Sequence, residues 1–377
     1  MIQQVDVPAE VLQRRHNMGR LEKLTAMVRE TEADAVLITS PFNLRYATMY
    51  GGLEGMVLID REGHGRVFTD SRYIEEAERI ISPLGYEVVE PEGSYPTVQT
   101  IADYVAGQGY KVLAYEDACM SVEEWSQYQE KVAAKLIPLG RRIEVLREIK
   151  EPEEIEHIIA AQRIAERALG RLVPEIKPGA YEDELCAKLR YYMAMEGSEN
   201  FAPGMPLISG KKTSMPHGQP GHKAIEVGDF VTIDFGAEVC GYQSDMTRTF
   251  AVGTATEKMK EVYQIVLEAQ LAGIAAFQDG VTGQEVDHAA RSVIEKAGYG
   301  AYFGHGLGHS LGLEIHENPR ANRTYQGKLR PGHVITVEPG IYIPGEFGIR
   351  IEDMVYLSEN GKQNLTEFPK DLTILDV

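Results

Sequence analysis

The residues best suited to chemistry lie in the C-terminal half of the chain, and two of them are aspartates in neighbouring predicted strands. Asp234 and Asp245 flank a short segment that fits a hairpin turn centred between Val239 and Cys240. With that centre, the two aspartates lie directly opposite each other. Opposed strand residues have Cβ atoms about 5 Å apart, where like charges repel. A cation held between the two carboxylates would remove this repulsion.

Paired strand aspartates also have an ordinary explanation, in which both side chains point into water. Here the neighbouring residues include Ile233, Phe235 and Met246. Because these apolar neighbours disfavour a solvated pair, we favour a shared cation site for Asp234 and Asp245.

A glycine-rich segment further along the chain carries His305 and His309. Four glycines lie between residues 304 and 312, which disfavours a helix and favours a backbone that closely approaches another group. A single histidine is more often a hydrogen-bonded core residue, but this pair is followed by His316 and Glu317 and so favours a site. The pattern H-E-x-x-H is absent, which excludes the helix of a single-zinc protease.

Two glutamates complete the set of candidate metal ligands. Glu338 follows an alternating strand pattern and precedes a Pro-Gly turn, and a period of two places Arg350 and Glu352 on one strand face. Alone, Glu338 would be a surface carboxylate, and Arg350 with Glu352 an exposed ion pair of little energetic value. Four carboxylates and one imidazole, however, match the needs of two divalent cations about 3.5–4 Å apart. Mainly oxygen ligands suit Mn, Co, Fe or Zn better than a thiolate site would.

Composition excludes several other classes of protein. The 377 residues carry a formal charge of −19 without a compensating run of Lys or Arg, which argues against nucleic acid binding. No stretch is long and apolar enough to predict a membrane span, and Met1–Val7 lacks the features of a secretory signal. The three cysteines form no C-x-x-C pair, so we predict neither a disulfide framework nor a thiolate zinc site. These features fit a cytoplasmic protein.

The order of the predicted elements indicates two domains, with the division close to Pro152. In the first part, strands are predicted at 35–39, 55–59 and 112–115, and helices at 70–79, 97–106 and 121–134. This alternation is typical of an open sheet covered by helices. No glycine-rich phosphate motif follows the first strand, which disfavours a nucleotide-binding domain.

The second part predicts an α+β domain with an antiparallel sheet. The predicted helices lie at 152–174, 181–196, 257–277 and 283–297, and the predicted strands at 229–236, 242–252, 333–338 and 348–357. Within this part, Ser209-Gly-Lys-Lys-Thr213 is similar to the end of a P-loop. We exclude a P-loop because the preceding Gly204 is one residue too distant and no strand–loop–helix context is predicted.

At the five candidate metal ligands the sequence resembles the creatinase, prolidase and aminopeptidase P family, whose catalytic domain has the pita-bread fold. These ligands are Asp234, Asp245, His309, Glu338 and Glu352. The resemblance covers almost the whole chain and includes Asn43–Tyr46 and Phe68–Tyr73 in the N-terminal part. It implies an α+β protein with a three-layer α/β creatinase-like domain at 1–148, which serves dimer contacts and closure of the substrate cleft. A pita-bread metallopeptidase domain at 149–377 follows.

The resemblance also implies a role for each candidate residue. Asp245 and Glu352 would bridge the two metals, Asp234 would hold one of them, and His309 with Glu338 would hold the other. Glu338 would also take a proton from the attacking water and pass it to the leaving nitrogen. Three further residues match family positions: His217 and His316, which would contact the substrate or its oxyanion, and Arg350, which would contact the bridging carboxylates. We also place His305, which lies in the same glycine-rich segment as His309, with the substrate-binding residues.

The implied function is a metal-dependent Xaa-Pro peptidase, either an aminopeptidase or a dipeptidase, that acts on short proline-containing peptides. We expect two divalent ions per chain, with Mn preferred and Co, Fe or Zn as alternatives, and a homodimer. A creatinase-like amidinohydrolase lacks most of the carboxylate ligands that this chain keeps, and a methionine aminopeptidase lacks the N-terminal domain. A non-catalytic binding protein with the same fold is the remaining alternative, although such relatives lose metal ligands.

Overall fold

The computed structural model of the protein describes residues 19–92, 95–201 and 207–377. The chain divides into two compact units, with the boundary between Arg147 and Glu148. This boundary lies one residue before the predicted one. The predicted roles of the N-terminal domain, dimer contacts and cleft closure, stay predictions. Among the described residues, no helix is long and apolar enough to cross a membrane.

The N-terminal unit is built on a six-stranded mixed sheet with the strand order β4-β3-β2-β1-β5-β6. Its elements are α1 (Arg20–Arg29), β1 (Ala35–Ile38), α2 (Pro41–Thr48), β2 (Gly55–Asp60), β3 (Gly65–Thr69), α3 (Ile74–Ile81), β4 (Tyr86–Val89), α4 (Val98–Gln108), β5 (Val112–Tyr115), α5 (Val122–Lys131), β6 (Lys135–Pro138) and α6 (Arg142–Glu148). Leu37, Leu58 and Leu113 of the sheet pack with Ile101 of α4 in a buried core. The predicted sheet covered by helices is confirmed.

The helix predicted at 70–79 begins later, at Ile74. The reason is Asp70, whose Oδ1 accepts a hydrogen bond of 2.9 Å from the backbone N–H of Arg72. An aspartate that bonds the backbone two residues ahead forms a turn that competes with helix. The helix starts only after that turn.

The C-terminal unit combines two helix pairs with several short antiparallel sheets, which confirms the predicted α+β class. Its elements are α7 (Pro152–Leu172), α8 (Glu182–Met195), β7 (Leu207–Ser209), β8 (Phe230–Phe235), β9 (Glu238–Val239), β10 (Tyr242–Gln243), β11 (Met246–Val252), α9 (Glu257–Ala276), α10 (Gly283–Lys296), β12 (Gly308–Ser310), β13 (Glu317–Ala321), β14 (Val334–Val337), β15 (Gly340–Ile343), β16 (Phe347–Arg350), β17 (Asp353–Ser358), β18 (Gly361–Asn364) and β19 (Ile374–Leu375). One buried core joins α7 and α8 to β8 and β11, and a second joins α9 and α10 to β14 and β17.

The hairpin that carries the two aspartates has a different register from the predicted one. Asp234 lies opposite Thr247 rather than Asp245, so the predicted direct opposition was wrong. The turn residues are Cys240 and Gly241, both with positive φ, 49° and 77°, as a two-residue hairpin turn of type I′ requires. The register therefore differs by two residues. An even shift keeps a residue on the same face, and Asp245 remains on the side of Asp234.

Three of the predicted ligands lie in short breaks between strands. Asp245 lies between β10 and β11, Glu338 between β14 and β15, and Glu352 between β16 and β17. The single strands predicted at 242–252 and 348–357 are therefore interrupted at a carboxylate. Because a break frees the backbone from the regular pleat, the carboxylate can turn toward a common centre instead of standing on the sheet face.

Candidate metal centre

The structure brings all five predicted metal ligands to one cavity of about 390 Å³ in the C-terminal unit. The ligand atoms of Asp245, His309 and Glu352 lie within 4.8 Å of one another. The Nε2 atom of His309 is 3.7 Å from Asp245 Oδ2 and 3.3 Å from Glu338 Oε1. Asp234 lines the same cavity. The five residues therefore surround a space in which ions could be bound.

The hydrogen bonding of His309 fits a metal ligand. Its Nδ1 lies 3.0 Å from the carbonyl oxygen of Ser310, and since a carbonyl only accepts, Nδ1 carries the proton. Burial lowers the pKa of His309 to about 3, so the ring is neutral and Nε2 presents a lone pair. That lone pair faces the oxygens of Asp245 and Glu338. Acceptors that face one another repel unless a proton or a cation lies between them.

The raised pKa values of the carboxylates also indicate a cation site. Burial raises the pKa of Asp245 well above its usual value, and the charges of Asp234 and Glu338 raise it further. Burial and the charges of Asp245 and Glu338 do the same for Glu352. Burial raises the pKa of Glu338 to about 7. Ionised carboxylates this crowded are unfavourable without a counter-charge, so the donor set fits divalent cations with oxygen and imidazole ligands.

We expect the metal-free protein to lose stability relative to its Glu338→Gln variant as the pH rises from 5 to 7. The pKa of Glu338 is raised to about 7 in the folded state from its ordinary value of 4.5. Between pH 4.5 and 7 the folded state therefore binds more protons than the unfolded state. Stability then falls with increasing pH, and the loss is complete above the folded pKa. We expect a relative loss of about 1–3 kcal/mol, measured by urea unfolding in the presence of a chelator. Parallel stability curves for the two proteins would contradict the assignment.

A buried arginine orients two of the carboxylates. Arg350 donates from Nη2 to Asp234 Oδ2 at 2.5 Å, from Nε to Thr247 Oγ1 at 3.0 Å, and from Nη1 to the hydroxyl of Tyr342 at 2.9 Å. Thr247 in turn donates to Glu352 Oε2 at 2.7 Å. The alternative of an exposed pair between Arg350 and Glu352 is therefore wrong. The guanidinium binds Asp234 directly and reaches Glu352 through a threonine.

A second threonine, Thr336, contacts two of the other candidate ligands. Thr336 donates from Oγ1 to Glu338 Oε1 at 3.0 Å and accepts the backbone N–H of His309 at 3.1 Å. Partners of this kind fix the orientation of metal ligands. Sequence reasoning missed Thr336 and Thr247, although each is two residues from a predicted ligand, the spacing that places both on one strand face.

The other predicted histidines also line the cavity. The ring of His316 lies edge-to-face against that of His309, with centroids 4.5 Å apart. Both His316 and His217 are exposed. Both ring nitrogens of His305 have protein partners, the carbonyl of Gly306 at 2.7 Å and the hydroxyl of Tyr342 at 2.9 Å. The substrate-binding roles of the three histidines stay predictions.

The sequence analysis also missed Arg320, a cationic residue that lines the cavity. Arg320 lies opposite His309 in the β12–β13 pair, which places it beside the candidate ligands. Its strand, β13, was not predicted, and the strand contains Pro319, a residue that disfavours a central strand.

Comparisons with known proteins identify the family. Residues 156–359 match Metallopeptidase family M24, and residues 20–149 match the Creatinase/Prolidase N-terminal domain. An Xaa-Pro dipeptidase from Pyrococcus furiosus is 39% identical over 357 residues, which cover 94% of this chain and 99% of the relative.

Solved structures agree with this assignment. An Xaa-Pro dipeptidase from Bacillus anthracis superposes with a TM-score of 0.90 at 39% identity, covering 94% of this chain and 99% of the other. An X-Pro aminopeptidase from Thermotoga maritima superposes with a TM-score of 0.87 at 35% identity, covering 93% and 99%. The family resemblance seen in the sequence is confirmed. This chain belongs to metallopeptidase family M24, whose members hydrolyse peptide bonds with divalent metal ions, and it carries a Creatinase/Prolidase N-terminal domain.

Proposed function

We propose that the protein is a dinuclear-metal exopeptidase that hydrolyses the bond between an N-terminal residue and proline. The observation that carries the proposal is that four carboxylates and the unprotonated Nε2 of His309 line one cavity, with Asp245, Glu338 and Glu352 close to the imidazole. The names of similar proteins, Xaa-Pro dipeptidase and X-Pro aminopeptidase, support the substrate class. The complete ligand set disfavours a creatinase-like amidinohydrolase and a non-catalytic binding protein.

The five ligands would hold two ions, preferably Mn, with Co, Fe or Zn as alternatives. Asp245 and Glu352 would bridge them, Asp234 would complete one site, and His309 with Glu338 the other. When bound, the ions supply an activated water and polarise the scissile carbonyl.

The residues of this chain supply the proton transfer and the substrate contacts. Glu338 would accept a proton from the attacking water and deliver it to the proline nitrogen, which must be protonated to leave. His217 and His316, which are exposed and line the cavity, would donate hydrogen bonds to the substrate and its developing oxyanion. Arg350 would keep Asp234 and Glu352 oriented throughout.

Arg320 favours a dipeptide over a longer substrate. In an Xaa-Pro dipeptide the terminal carboxylate belongs to the residue directly after the scissile bond, so it must lie close to the metals. Arg320 lines the cavity and lies opposite His309, where its guanidinium can bind that carboxylate through charge-assisted hydrogen bonds. We therefore place this protein with the dipeptidases.

With Mn or Co supplied, we expect the wild-type protein to cleave an Xaa-Pro dipeptide in preference to Xaa-Pro-Yaa and to the Xaa-Pro amide. In the Arg320→Gln variant, KM for the dipeptide should rise by about 10- to 100-fold, the value of a lost charge-assisted hydrogen bond. The KM for the amide should change little. Steady-state kinetics on the three peptides measures this.

Arg323→Gln is the matched control, because Arg323 is exposed and does not line the metal-site cavity. A tripeptide preference in the wild type would reject the dipeptidase assignment, and an absence of hydrolysis with all four metals would reject the proposed function. The homodimer expected from the family resemblance is tested separately by light scattering on the purified protein.

A further inference from the structure

Both ends of the segment that carries His217 are hydrogen-bonded to one buried carboxylate. This segment, residues 209–221, is called here the His217 loop. The side chain of Glu182 is fully buried, with a relative exposure of 0%. Its Oε1 accepts the backbone N–H of Ser209 at 2.7 Å and the hydroxyl of Ser209 at 2.9 Å, and its Oε2 accepts the backbone N–H of Gly221 at 3.1 Å. One carboxylate therefore binds both ends of the loop.

A lysine in the loop completes this arrangement. The ammonium of Lys212 donates to Glu182 Oε2 and, on the other side of the loop, to the carbonyl oxygen of Gln219 at 3.3 Å. Lys212 belongs to the Ser209–Thr213 motif that is similar to a P-loop. In the structure, its charge neutralises a buried carboxylate rather than binding a phosphate.

The loop is also connected to the metal centre. The carbonyl oxygen of Pro216 accepts a hydrogen bond of 3.5 Å from Nη1 of Arg350, and Thr213 Oγ1 accepts the backbone N–H of Gly348 at 2.8 Å. Pro216 and His217 line the metal-site cavity, whereas Glu182 and Lys212 do not. An effect of Glu182 or Lys212 on the substrate must therefore act through the loop.

We propose that the ion pair between Glu182 and Lys212 is a positioning device that holds His217 against the substrate. A buried carboxylate is stable only when its charge is paired and its acceptor sites are filled. The loop supplies those partners, so its two ends and its crossing lysine are fixed together. A side chain held in place before the substrate arrives loses less entropy on binding. This inference rests on the proposed function, in which His217 contacts the peptide.

The first test compares two adjacent lysines. Lys212→Met should lower kcat/KM for the Xaa-Pro dipeptide about tenfold, the cost of a small displacement of a residue that contacts the substrate and its developing oxyanion, while bound metal remains unchanged. Lys212→Arg should retain more of the wild-type activity than Lys212→Met, because arginine keeps the positive charge. Lys211→Met is the control, since Lys211 is exposed and no described carboxylate forms an ion pair with it. Equal effects at both positions would overturn the proposal.

The second test is a double-mutant cycle with His217→Ala. If Lys212 acts through His217, Lys212→Met should have little further effect on kcat/KM in the His217→Ala background. Effects that multiply would show that Lys212 acts independently of His217 and would overturn the proposal.

A third measurement does not depend on activity. In Glu182→Gln, the amides of Ser209 and Gly221 should exchange with deuterium at least about tenfold faster, because the new amide group faces Lys212 with hydrogen-bond donors. Unchanged exchange would contradict the anchoring of the loop. If the wild type cleaves no peptide, the proposed function fails, while the exchange measurement still decides whether Glu182 anchors the loop.

Discussion

Replacing Asp245 by Asn is expected to abolish peptide hydrolysis and to stabilise the metal-free protein at the same time. The first effect follows from the proposed role of Asp245 as a carboxylate that would bind both ions. Changes in residues that only orient ligands cost about 10- to 100-fold in activity, so we expect the loss of a proposed bridging ligand to cost at least about 10³-fold. The second effect follows because burial and the charges of Asp234 and Glu338 disfavour the ionised form of Asp245. Asparagine has almost the same shape and no charge.

Thermal unfolding in a chelator, together with metal analysis and kinetics, measures both effects. At pH 8 the midpoint of the metal-free variant should rise by about 2–4 °C, equivalent to roughly 1 kcal/mol. Added Mn should stabilise the wild type but not the variant, since only a protein that binds the ion gains stability from it. Asp287→Asn is the contrasting control: Asp287 is also buried but forms hydrogen bonds of 2.7 and 2.8 Å with Arg291, so its loss should destabilise. Full activity in Asp245→Asn would reject the site.

Arg350→Lys is expected to reduce kcat/KM by about 100-fold although it keeps the positive charge. Three different nitrogens of the guanidinium bind Asp234, Thr247 and Tyr342. A lysine ammonium is a single point and cannot reach three acceptors in these directions. The carboxylate of Asp234 and the hydroxyl of Thr247 would then lose their fixed orientations. Kinetics on the Xaa-Pro dipeptide and the metal content of the purified protein measure the result.

Two further variants test whether the effect of Arg350→Lys comes from the lost hydrogen bonds at the metal centre. Thr247→Val preserves the shape of the side chain but removes the hydroxyl between Arg350 and Glu352, and should lower kcat/KM by about tenfold. Arg163→Lys is the control, because Arg163 binds Glu166 and Glu367 away from the cavity, and we expect less than about a twofold change. Wild-type kinetics in Arg350→Lys would mean that charge alone suffices.

The sequence by itself determined which residue types could carry the chemistry and how those residues are spaced along each strand pattern. Period-two spacing relates Glu338 to Thr336 and Arg350 to Glu352 in the sequence, and both glutamates line the cavity, although each lies in a break between two strands. These relations are local, because they depend only on the alternation of side chains along one strand. The family resemblance added His217, which local pattern alone would have left as an ordinary loop histidine.

The tertiary structure alone decided which of these residues meet. The positive φ angles of Cys240 and Gly241 set a register that places Thr247 opposite Asp234. Arg350 binds Asp234, 116 residues away, rather than forming an exposed pair with Glu352. Glu182 closes the His217 loop through partners 27, 30 and 39 residues away. Such contacts depend on how separate elements pack, and the spacing of residues along one element carries no information about that packing.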